Sequence, residues 1–105
     1  MRIDLPKDYI AYFKEAGVVE GFTEGMPGYV ALWNPDEIEA GNRDLQVATY
    51  APGFLGFGTD GGGELLAFDE SGAVFMLPMI GMEPQYAKKI ADSWREVARR
   101  INWHA

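Results

Sequence analysis

The chain has 105 residues, 48% hydrophobic and 13% aromatic, and that length and composition predict one folded domain spanning residues 1–105. The absence of cysteine and the single histidine, His104, exclude a disulfide framework, a zinc finger, an iron–sulfur site and a cysteine nucleophile, and argue against a Ser-His-Asp triad or a multi-histidine metal centre. A formal net charge of −7, from nine basic and sixteen acidic residues, makes nucleic acid and anionic membrane poor partners.

Taken in chain order, Leu5-Pro6-Lys7-Asp8-Tyr9 opens a short helix. Pro6 suits its first position, where a missing N–H costs nothing. Tyr9, Ile10 and Phe13 share one face, and Gly17 fits the left-handed residue that ends a helix. Two strands, Gly21 to Glu24 and Tyr29 to Trp33, flank a Gly25-Met26-Pro27-Gly28 turn. Asn34-Pro35-Asp36-Glu37 then carries an N-cap, a first-turn proline and an N-x-x-E box. The spacing predicts a helix of about two turns that fails near Gly41-Asn42. Residues 43–53 read as loop with helical turns.

Residues 54–80 read as an antiparallel meander. Strands at 54–58, 64–69 and 73–78 are separated by Asp60-Gly61-Gly62-Gly63 and Glu70-Ser71-Gly72. Leu65-Leu66 and Val74 to Leu77 are unbroken apolar runs, as expected of a sheet covered on much of both faces. Ala87, Ile90, Ala91, Trp94, Val97, Ala98 and Ile101 recur at threes and fours, which predicts a last helix over roughly 84–102. The fold class is α+β: one antiparallel sheet flanked by about three helices.

Gly56 to Gly61 matches G-x-G-x-x-G, but strand material follows where a dinucleotide site needs a helix, and no phosphate-loop Lys follows either. A glycine-rich hairpin turn accounts for it. Counting a calcium loop from Asp60 puts Gly62 at position three and Ser71 at position twelve, so that pattern fails too. Paired carboxylates are too common among sixteen acids to indicate a glycosidase. Trp33 and Trp94 read as core, and Trp103 as either core or surface. Met76, Met79 and Met82 suit core gaps, with Met79 and Met82 kept as interface candidates. No catalytic residue, metal or cofactor is expected.

The charge is unevenly spread. Residues 15–83 hold twelve acids against Arg43 alone, a balance of −11. Residues 85–105 hold five bases against two acids, a balance of +3. No apolar run reaches the ~20 residues of a membrane span, and the first residues do not resemble a signal peptide. A cytoplasmic protein is expected.

Three stretches resemble the SUKH superfamily of the Smi/Knr type. They are Leu5 to Tyr9 with Gly17, Leu32-Trp33 followed by Pro35 to Ile38, and Phe57 to Asp69. The last is the most specific. The alanine-rich, basic C-terminal stretch departs from the family pattern. The resemblance implies an α+β fold, no catalytic residues, and structural roles for Leu5, Pro6, Trp33, Gly58, Asp60, Gly61, Gly62, Phe68 and Asp69. It also implies an interaction protein. Many bacterial members are immunity proteins that neutralise a toxin of a contact-dependent or polymorphic system, often a nuclease or deaminase; fungal members are regulatory. A toxin acting on nucleic acid carries a basic groove. The expected partner is therefore a cognate toxin with a basic surface, met through Glu20, Glu24, Asp36, Glu37, Glu39, Asp60 and Glu64. The alternative is a regulatory or scaffold domain with an endogenous protein partner.

Overall fold

A computed structural model describes residues 3–15 and 19–101. The readings of Gly17 and Trp103 fall outside the described residues, as does His104. Six strands form one antiparallel sheet in sequence order: β1 (Glu20–Phe22), β2 (Tyr29–Leu32), β3 (Leu55–Thr59), β4 (Glu64–Phe68), β5 (Val74–Pro78) and β6 (Lys88–Ala91). The helices are α1 (Lys7–Glu15), α2 (Ile38–Asp44), α3 (Val47–Tyr50) and α4 (Trp94–Arg100). The fold is α+β, and β3, β4 and β5 lie where the glycine-punctuated meander predicts.

Each face of the sheet carries its own core. On one face Val30, Leu32, Phe57, Leu66, Phe68, Val74 and Met76 meet Tyr9 of α1 and Trp94 and Val97 of α4. On the other, Leu65, Ala67 and Leu77 meet Val47 and Ala51 at α3, and Met82. The adjacent apolar residues Leu65 and Leu66 thus serve opposite faces, as the pleat requires. Trp94 is 2% exposed, and its ring lies 4.8 Å from that of Tyr9 in an edge contact. The Tyr9 hydroxyl lies 2.6 Å from the Trp33 carbonyl oxygen and 3.1 Å from that of Phe57, and donates to them. Burial pushes its phenol far above the ordinary range, so it is a core group that stays neutral.

Two expectations are corrected. The helix predicted over 84–102 is a 3-10 turn at Pro84–Tyr86, then strand β6, then α4 from Trp94. Lys88 and Lys89 pair with Met76 and Phe75 of β5, and Ala91 pairs with Val74. A free β5 edge takes these residues into the ladder, although Ile90, Ala91 and Trp94 also fit a helical stripe. Ser93 starts α4 by accepting the Glu96 N–H. Nor does α2 fail at Gly41-Asn42; it runs to Asp44. The Trp33 ring lies against Gly41, where an added Cβ would sit 2.6 Å from a ring carbon. Asn42 bonds both the Ile38 carbonyl and β3. The turns expected within 43–53 are the end of α2 and all of α3.

Gly58 is needed for close approach. A Cβ there would lie 2.5 Å from the Ala31 carbonyl oxygen, so the β2–β3 pairing admits no side chain. Met82 is 5% exposed and belongs to the core, which removes it as an interface residue; Met79 packs half-buried against the same core.

Candidate protein-binding face

The acidic residues singled out by the sequence fall into separate groups. Ala31 pairs with Thr59 and Leu32 with Gly58. Glu24, Asp60 and Glu64 therefore lie at the end of the sheet where β2 starts. Asp36, Glu37 and Glu39 lie beyond its other end. Glu20 sits on β1 opposite Ala31.

In the second group most of the charge is already engaged. Asn34 caps the 3-10 turn at Pro35–Glu37 by accepting the Asp36 N–H, and Glu37 accepts the Asn34 N–H in return. Glu39 lies 3.9 Å from Arg43, an exposed pair of the kind that contributes little. A groove of about 1000 Å³ beside α2 is lined by Leu5, Ile38, Glu39, Arg43 and Phe54 among others, a mixed surface with both charge signs.

At the opposite end, Asp60 closes the β3–β4 turn by accepting the N–H groups of Gly62 (2.8 Å) and Glu64 (3.1 Å). Asp69 does the same for the β4–β5 turn with Ser71 and Ala73. Burial alone would raise the Asp69 carboxyl. The Ser71 hydroxyl, the N–H groups of Ser71 and Ala73, and nearby Lys89 outweigh that and hold it below the usual range. Among the described residues, the side chains of Glu24, Asp36 and Glu64 have no hydrogen-bond or ion-pair partner.

Sequence reasoning missed an aromatic pair. Phe22 and Tyr29 are direct cross-strand partners on β1 and β2, with ring centroids 5.1 Å apart. Val30 and Leu32 face the core under α1 and α4, so Tyr29 and Ala31 face the other side. There α3 covers β4 and β5 but not β1 and β2. Phe22 is 60% exposed, and Tyr29, Ala31 and Thr59 are half-buried. The Tyr29 hydroxyl donates to the Glu20 carboxylate at 2.6 Å. This bond, then desolvation, then repulsion from the same carboxylate raise the Tyr29 phenol above its ordinary value. The signal in the sequence is strand alternation, which sets Tyr29 and Ala31 on the opposite side from Val30 and Leu32.

The hairpin that carries the pair is fixed from behind. Thr23 bridges Ile101, the Glu24 N–H donates to the Arg100 carbonyl at 2.8 Å, and the Arg100 guanidinium donates to the Met26 carbonyl at 2.9 Å. The face is thus held in place by the end of α4.

Among the described residues, no group of three or more His, Cys, Asp or Glu is placed to hold a metal ion, and no helix is long and apolar enough to cross a membrane. No curated protein matches the chain. The sequence model of the SMI1 / KNR4 family (SUKH-1) matches residues 1–100, and the chain belongs to that family.

Proposed function

We propose that this protein is a non-enzymatic binding domain that neutralises a partner toxin, with a nuclease or deaminase of a contact-dependent or polymorphic system as the expected target. Family membership supports a protein-binding role. The observation that carries the finer reading is the −11 balance over residues 15–83, together with the unpaired carboxylates of Glu24, Asp36 and Glu64 among the described residues. An enzyme that handles nucleic acid needs a basic groove. An acidic protein competes for that groove, and charge complementarity speeds the encounter by orders of magnitude at low salt. Neutralisation is then occlusion: the groove is filled and the substrate excluded. The capture takes place in the cytoplasm, where such a toxin meets its nucleic acid.

The test begins with co-purification of the tagged chain from its native cells and identification of the bound protein. That protein is then assayed for toxicity and for nuclease or deaminase activity, with and without one equivalent of the chain. Stoichiometric loss of the activity is expected. A partner that is neither toxic nor inhibited contradicts neutralisation and favours a regulatory or scaffold role.

A further inference from the structure

The geometry points to the open face of β1 and β2 as the docking surface for an arginine-bearing basic segment of a protein partner. The inference rests on the protein-binding role proposed above and names the surface that performs it. Three observations converge there. Among the described residues no helix covers β1 and β2 on this side, since α3 packs over β4 and β5, and Phe22 is 60% exposed. It is aromatic, since Phe22 and Tyr29 form an edge-to-face pair at 5.1 Å. It is also acidic, with Glu20 bonded to the Tyr29 hydroxyl and Glu24 exposed two residues beyond Phe22. An aromatic ring beside carboxylates suits a guanidinium, which stacks on the ring and forks onto a carboxylate. Lysine offers only a point charge that is more strongly hydrated.

Charge decides the occupant. A second copy of this chain would bring Glu20 and Glu24 against their own counterparts in a molecule of net charge −7. Like charges set face to face disfavour that pairing, whereas a basic partner neutralises them. Arg100 donates to the Met26 carbonyl and so restrains the hairpin, which lowers the ordering cost of docking. Around α2, Glu37 is bound in the capping box and Glu39 lies beside Arg43, which leaves Asp36 as the one unpaired carboxylate of the three.

The experiment titrates the isotope-labelled full chain with a blocked hexa-arginine peptide and follows backbone amide shifts. Saturable shifts at Gly21, Phe22, Tyr29 and Ala31 are expected, weaker with hexalysine. Phe22→Ala should weaken binding by about two- to fivefold. Phe22→Trp should retain it, and unchanged shifts elsewhere show that both variants are folded. Shifts centred on Asp36 to Glu39, or indifferent to Phe22→Ala, overturn the assignment. So does self-association in sedimentation that Phe22→Ala abolishes, because the occupant is then a second copy. Toxin inhibition is read separately and does not depend on which face binds, so the failure of one proposal leaves the other testable.

Discussion

Asn42 completes the edge of β3 that β2 leaves open. Its Oδ1 accepts the Gly56 N–H at 2.7 Å, and its Nδ2 donates to the Gly56 carbonyl at 2.8 Å. One side-chain amide thus substitutes for a strand residue and locks α2 to the sheet. Asn42→Ala leaves both Gly56 groups without that partner and should cost about 1–3 kcal/mol. Asn42→Asp keeps the acceptor but turns a carboxylate toward the Gly56 carbonyl, so it should not rescue stability. Chemical denaturation reads both. A loss below about 0.5 kcal/mol for Asn42→Ala, the range of an ordinary surface change, contradicts this role.

Trp94 links α4, α1 and the sheet, with its ring 4.8 Å from Tyr9, 5.1 Å from Tyr12 and 5.7 Å from Phe57. Trp94→Ala should destabilise the fold by about 3–5 kcal/mol through lost transfer energy and the cavity left behind. Urea denaturation measures it. A loss under about 1 kcal/mol would mean that the site is far less enclosed.

The legibility of the fold varied with the kind of signal. The meander from β3 to β5 could be read because glycine-rich turns mark its boundaries and bound acidic residues close them. The C-terminal segment reads as helix in the sequence because Ile90, Ala91 and Trp94 fit a helical stripe equally well. Only the pairing of Lys88, Lys89 and Ala91 with β5 decides for a strand, and those long-range contacts leave no local trace. Gly41 looked like a helix terminator because its role, receiving the Trp33 ring, is also a tertiary one. The acidic residues form a single set in the sequence because sequence carries no distances. Strand register separates Asp36 from Asp60, and the capping box shows that Glu37 is already engaged.

Asp69 gives stability a pH dependence of known sign. Its carboxyl lies below the usual range in the folded chain. Its contribution is therefore fully present above the unfolded value of about 3.9 and is lost as pH falls through the folded value. Asp69→Asn should lower stability at neutral pH by about 1 kcal/mol and flatten the loss on acidification. Urea titrations between neutral and strongly acidic pH give both slopes. Parallel slopes for the two proteins would contradict the assignment.

Tyr29 reports on the β1–β2 face directly. The Glu20 carboxylate accepts its hydroxyl proton in a hydrogen bond and repels the phenolate, so both effects favour the neutral phenol. Glu20→Gln should bring the phenol back down toward the ordinary value of about 10. Ring-resolved NMR titration of Tyr29 follows this. An unchanged midpoint would show that the two side chains do not interact in solution.

The most direct measurement of carboxylate-driven partner capture is the association rate with the purified basic partner at two ionic strengths. Raising salt from about 0.01 M to about 1 M shortens the screening length from about 30 Å to about 3 Å. The rate should fall by at least about tenfold over that range, and reversing Glu20 and Glu24 to lysine should slow it further at low salt. A rate indifferent to both salt and charge reversal would contradict electrostatic capture by this face.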